Sequence, residues 1–126
     1  DGSRELFLSH AGHRKVLLYR AAKREIELVN LSDGMVMGLP GGTAAPVAKY
    51  VLRPGDRFYA FTDGILEAAD PAGDEFGMTR LRACFEQHSG LPVQETLQSV
   101  YETIATYIES PQQQDDITLL GFQIAP

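Results

Sequence analysis

Three aspartates stand where a folded sheet could gather them. Asp63 closes the run Arg57-Phe58-Tyr59-Ala60-Phe61-Thr62, and Asp115-Asp116 opens the run Ile117-Thr118-Leu119-Leu120-Gly121-Phe122-Gln123-Ile124. If the two runs are antiparallel neighbours, the end of one lies beside the start of the other, and the carboxylates project from one sheet edge. Two close carboxylates repel in a low dielectric unless a proton or a cation lies between them. Hard divalent cations such as Mg²⁺ and Mn²⁺ take oxygen ligands of this kind, often one or two carboxylates completed by water. A plainer reading stays open. An Asp-Gly pair after a strand also makes a turn, and an Asp pair before a strand also makes a solvated start.

The elements that would position these residues follow from apolar spacing. In the first half, Leu6-Phe7-Leu8, Val16-Leu17-Leu18-Tyr19 and Ile26-Glu27-Leu28-Val29 read as strands separated by turn residues, which suggests an antiparallel meander, and Val47–Leu52 reads as a further strand. Leu39–Pro46 has the composition of an irregular surface loop. Arg53-Pro54-Gly55-Asp56 is a turn, and the strand after it is apolar at four successive positions, the pattern of a strand covered on both faces. The second half changes period. Leu81, Cys84 and Phe85 fit a short helix from Met78. After a break at His88-Ser89-Gly90, Pro92 opens a longer one with Val93, Leu97, Val100, Tyr101, Ile104 and Ile108 on one stripe, ending at Pro111. Strands, two helices and a returning strand give an α+β fold, an antiparallel sheet with two helices on one face.

Composition bounds the function. The 126 residues fit one domain with a real core. A net charge of −6, from 11 Lys+Arg against 17 Asp+Glu, argues against nucleic-acid binding, which depends on cations that neutralise phosphates. It suits a site for divalent cations. No apolar run approaches the ~20 residues of a membrane span. The single cysteine, Cys84, excludes an internal disulfide and a cysteine-based zinc cluster, and it reads as a small buried hydrophobe.

The stretch from Leu52 to Ala68, with Pro54-Gly55-Asp56 and Thr62-Asp63-Gly64 followed by Glu67, resembles the "l-x-P-G-D-x-l-x-x-y-T-D-G-x-x-E" signature of bacterial metal-dependent (PPM, type 2C) serine/threonine phosphatases. The branch it resembles is that of stage II sporulation protein E and the sigma-factor-regulator phosphatases. Ala11-Gly12-His13, then Asp74-Glu75-Phe76-Gly77 with Arg80-Leu81, and Gln114–Leu120 match further motifs in the expected order. The resemblance implies a β-sandwich flanked by helices, with two Mn²⁺ or Mg²⁺ ions at one edge. It implies hydrolysis of phosphoserine or phosphothreonine by in-line attack of water, without a phosphoenzyme. Carried over by motif position, Asp63 and Asp115 are the catalytic metal ligands, Asp116 supports the ligand beside it through hydrogen bonding, and Gly64 permits a tight backbone turn. Glu67 and His13 match positions that supply further metal ligands in some relatives; a surface carboxylate and a packed or solvated histidine are their plainer roles. His10 and Arg14-Lys15 depart from the family pattern beside His13.

The resemblance covers the C-terminal part of such a domain. The family's first metal-binding segment, an aspartate in a Gly-rich "G-D-x-x-G-x-G" turn, is expected before residue 1. Asp1-Gly2, Asp33-Gly34 and Gly41-Gly42 do not replace it. Two expectations follow for residues 1–126 taken alone: weak metal binding with little hydrolysis, and association of copies through exposed sheet edges. The implied partners are a phosphorylated regulatory protein, such as an anti-sigma-factor antagonist, and an upstream sensory or receiver domain, in the cytoplasm. Two other classes compete with an enzyme: a non-catalytic module that keeps the fold and binds a signalling partner, and a purely structural dimerisation domain.

Overall fold

The computed structural model describes residues 1–9, 15–30, 46–109 and 116–126. Among the described residues, six strands and three helices follow in the order β1 (Arg4–Leu8), β2 (Lys15–Arg20), β3 (Glu25–Asn30), β4 (Ala48–Leu52), β5 (Arg57–Phe61), α1 (Gly64–Glu67), α2 (Gly77–Gln87), α3 (Val93–Ile108) and β6 (Leu119–Gln123). Four strands form one antiparallel sheet in the order β3-β2-β5-β6, and β1 pairs with β4 in a second.

Strand alternation assigns each side chain of the central strands to one of two cores. Leu17, Tyr19, Tyr59 and Phe61 point to the helical side, where they pack with Ile65, Phe76, Leu81, Phe85, Val100 and Ile104. Val16, Leu18 and Phe58 point the other way and pack with Leu52, Leu6, Leu8 and Tyr50 of the two-stranded sheet. The molecule is therefore a β-sandwich with helices laid on one outer face. The continuous apolar runs of β2 and β5 have this cause: a strand with a core on each side has no wet face to alternate with.

α2 buries Leu81, Cys84 and Phe85, the spacing of one helical stripe. Phe85 stacks on Tyr59 with ring centroids 4.1 Å apart, which fixes the helix over the sheet. α3 buries Thr96, Val100, Ile104 and Ile108, one residue per turn. It crosses close above β6. A Cβ on Gly121 would lie 2.9 Å from the Tyr59 ring and 3.3 Å from the Leu97 side chain, so the absent side chain admits the helix.

The structure corrects the meander. β2 and β3 form the expected hairpin, but β1 crosses to the second sheet and pairs with β4, with Arg4 opposite Leu52. A pairing of residues forty or more positions apart leaves no local trace in the sequence. Tyr101 is half exposed and lies off the buried stripe, and Thr96 is fully buried on it. α3 ends at Ile108, where Glu109 takes a left-handed conformation (φ 54°). A third helix, the single turn α1, follows Asp63 directly. Pro111 and most of the loop expected over Leu39–Pro46 lie outside the described residues.

Candidate functional site

The β5–β6 ladder runs antiparallel with Phe61 opposite Leu119, so the C-terminal end of β5 and the entry to β6 share one edge. Thr62 extends the ladder by a residue: its amide donates to the Thr118 carbonyl at 3.1 Å. Its hydroxyl makes two further bonds. It donates to the Asp116 carbonyl at 2.9 Å and accepts from the Thr118 amide at 2.9 Å. The segment that carries Asp63 and the segment that carries Asp116 are thus joined by three hydrogen bonds to one threonine.

Beyond Thr62 the chain turns at once into α1. The Leu66 and Glu67 amides donate to the Asp63 carbonyl at 2.9 and 3.1 Å, and the Ile65 amide donates to the Thr62 carbonyl at 3.1 Å. Ile65 is fully buried and pins this turn to the core. Gly64, also buried, opens the helix in ordinary helical conformation. Glu67 stands four residues after Asp63, the spacing that brings side chains to one face of a helical turn. Asp63 precedes the helix without capping it through its side chain.

Asp63, Glu67 and Asp116 are all exposed. Among the described residues, no hydrogen bond or ion pair joins their carboxylates to a basic group. Hard oxygen donors at one sheet edge, without a neighbouring cation, have the chemistry that Mg²⁺ or Mn²⁺ requires. Among the described residues no three potential ligands form a ready cluster. Asp115 and His13 lie outside the described residues.

The segment after α1 is organised for its own sake. The Asp70 carboxylate accepts from the Ala72 and Asp74 amides, each at 2.9 Å, which closes a tight turn. Phe76 is buried and meets Tyr107 edge-on at 5.2 Å, with Gly77 in a left-handed conformation (φ 71°) starting α2. The Asp74-Glu75-Phe76-Gly77 motif therefore docks this loop onto α3.

At the opposite end of β5 the charges are consumed. Asp56, 4% exposed, accepts from the Ala21 and Arg53 amides at 2.9 and 3.1 Å and from Arg20 Nη1 at 3.2 Å. Arg57 is buried among neutral acceptors: it donates to Gln123 Oε1 at 2.9 Å, the Leu91 carbonyl at 2.7 Å, Thr96 Oγ1 at 3.3 Å and the Tyr59 hydroxyl at 3.4 Å. Burial pushes the Tyr59 phenol above its ordinary range. Sequence reasoning missed this cluster and the part played by the Thr62 hydroxyl. For Thr62 the available signal was a hydroxyl-bearing β-branched residue between a buried strand and an aspartate.

A sandwich of two antiparallel sheets, flanked by helices and gathering acidic turns at one edge, defines a PP2C-type phosphatase fold. Solved structures agree. The SiaA-PP2C domain of Pseudomonas aeruginosa matches with a TM-score of 0.76 and 27% identity over 95% of this chain and 46% of that one. The RsbU and RsbW domains of a Mycobacterium tuberculosis protein match at 0.72 and 26%, over 98% of this chain and 33% of that one. The PP2C phosphatase domain, with a fragment of the regulatory domain, of the cell fate determinant SpoIIE from Bacillus subtilis matches at 0.74 and 20%, over 95% of this chain and 34% of that one, a likeness of fold alone. This chain spans less than half the length of each of these three. A comparison with curated protein sequences returns no match. The family model of stage II sporulation protein E (SpoIIE) matches residues 1–125, and the chain belongs to that family.

Proposed function

We propose that residues 1–126 are the C-terminal part of a metal-dependent protein serine/threonine phosphatase domain, with Asp63 and Asp115 as metal ligands. The observation that carries this reading is the Thr62–Thr118 junction, which sets two acidic turns side by side at one sheet edge with their described carboxylates unpaired. The family membership and the likeness to the SiaA-PP2C domain support it. So does the use of Mn in preparing one structure of the B. subtilis SpoIIE phosphatase domain.

Asp63 and Asp115 would hold the ions, with Asp116 supporting Asp115 and with Glu67 and His13 as further ligands. Mn²⁺ or Mg²⁺ bound there supplies water activation and neutralises charge on the phosphoryl oxygens. The protein's own work is to hold carboxylates at fixed spacing on a rigid sheet edge, so that little reorganisation is needed during the reaction. α1, anchored by Ile65, keeps Glu67 and Asp63 on one turn. Two or three carboxylates are few for two octahedral cations, so a further acidic segment from outside residues 1–126 completes the set. Residues 1–126 alone then bind metal weakly and hydrolyse little. The substrate in this reading is a phosphoserine or phosphothreonine of a regulatory protein, in a sigma-factor pathway of the cytoplasm, under control of an attached sensory or receiver domain.

The test is Mn²⁺-dependent phosphate release from a phosphoserine protein by the polypeptide in which residues 1–126 occur. Asp63→Asn and Asp115→Asn should each lower the rate by a hundredfold or more while leaving the fold intact. A non-catalytic interaction module would tolerate both substitutions. Activity that survives both would therefore overturn the enzyme reading.

A further inference from the structure

The geometry points to Thr62 as a positioning residue, whose hydroxyl sets the spacing between the two acidic turns of the proposed cation site. This inference rests on the reading of that edge as a cation site. It adds a residue that holds the ligands without being one of them.

Three features single out this threonine. First, its Oγ1 uses both its donor and its acceptor capacity on one backbone segment, giving to the Asp116 carbonyl and receiving from the Thr118 amide, each at 2.9 Å. A hydroxyl used in both directions fixes the segment's distance and its rotation. Second, the Thr118 amide donates to this hydroxyl while the Thr118 carbonyl accepts from the Thr62 amide, so the hydroxyl closes the last rung of the ladder. The strand can then end there and release Asp63 into α1. Third, Thr62 is linked covalently to Asp63 and by hydrogen bond to the backbone of Asp116. Any slip of β6 against β5 would move one acidic turn relative to the other, and Thr62 opposes that slip at the point where it matters.

Elsewhere β5 and β6 are held by ladder bonds, by packing and, at the far end, by the Arg57–Gln123 hydrogen bond; at the acidic end the side-chain tie is that of Thr62. β-branching restricts the Thr62 side chain to few rotamers, so the hydroxyl is aimed before the bonds form. Serine can make the same two bonds. Valine has the same shape and can make neither.

The experiment compares Thr62→Val and Thr62→Ser with the wild type, each in the polypeptide in which residues 1–126 occur, by ¹H–¹⁵N spectroscopy, using Mn²⁺ alone as the probe. Amide exchange at Thr118 reads the tie directly. Protection should fall by a factor of ten or more in Thr62→Val and stay within about threefold of wild type in Thr62→Ser. Paramagnetic broadening by Mn²⁺ reads the site. In the wild type, the resonances of residues 63–67 and 116–118 should broaden together at one Mn²⁺ concentration. Thr62→Val should need about tenfold more Mn²⁺, and Thr62→Ser within about twofold. Loss of Thr118 protection with unchanged Mn²⁺ dependence would make the hydroxyl merely structural and overturn the inference. Unchanged protection in Thr62→Val would overturn it as well. A wild type that shows no broadening, with protection still dependent on the hydroxyl, would sustain the tie between the turns and remove the cation site instead.

Discussion

Asp56 and Asp63 stand at the two ends of one strand, and the protein treats them in opposite ways. Asp56 is buried, and both its oxygens are occupied by two backbone amides and Arg20. Asp63 is exposed, and no described side chain or amide takes its carboxylate. Arg57 beside Asp56 likewise has internal partners, donating to β6, α3 and the turn before α3. One end of the β5–β6 pair therefore spends its charge on holding elements together. The other leaves its charge available to a ligand. A charged residue whose partners are all internal contributes to folding; an exposed carboxylate without one is hydrated, and in the proposed function it is open to a cation.

The contrast can be broken or sharpened by substitution, beginning at the buried end. Asp56→Ala leaves the Ala21 and Arg53 amides without their acceptor and removes one of the two carboxylates that Arg20 binds, and should destabilise the fold by about 3–4 kcal/mol in denaturant unfolding. Arg57→Ala leaves the Leu91 carbonyl and Thr96 without this donor and opens space beside Tyr59; about 2–3 kcal/mol is expected from the same measurement. An intermediate effect belongs to the exposed face of β6, where Leu120 is 59% exposed and Phe122 37% on an edge strand without a charged residue. Such an edge invites pairing between copies. Sedimentation should find a concentration-dependent dimer that Leu120→Lys shifts toward monomer by about tenfold in dissociation constant. The smallest stability effect is expected at the acidic end. Asp63→Asn should change unfolding free energy by no more than about 0.5 kcal/mol, because no internal partner is lost. A large loss there would erase the distinction between the two ends.

How much of this was legible beforehand follows from the range of each interaction. β2, β3, β5 and β6 announced themselves through apolar runs, and α3 through its period. The continuous run Phe58–Phe61 correctly signalled a strand with a core on both sides. The neighbourhood of Asp63 and Asp116 followed from pairing β5 with β6. The β1–β4 pairing was hidden because it depends on closing a long loop, which no local pattern records. Thr96 was passed over because a threonine looks out of place in an apolar stripe. Its one hydroxyl proton has the carbonyls of His88, Leu91 and Pro92 within reach, its oxygen accepts from Arg57, and this hydrogen bonding makes burial tolerable. Tyr101 fits the stripe by spacing and by hydrophobicity, but it lies at the rim of the helix face and stays half exposed. Arg57 carries a charge that composition reads as surface, and only the tertiary structure supplies its acceptors. At the site itself the carboxylates were visible as residue types. The hydroxyl that ties their two segments was not, because its role exists only once β6 lies alongside β5.

The most direct measurement is an anomalous difference map from a crystal of the polypeptide in which residues 1–126 occur, soaked in Mn²⁺. A peak at the joint edge of β5 and β6, within coordination distance of the Asp63 carboxylate and the Asp115-Asp116 turn together, is the predicted result. A map with no peak there, or with Mn²⁺ bound by one turn alone, would contradict the claim that this sheet edge is built to hold a cation.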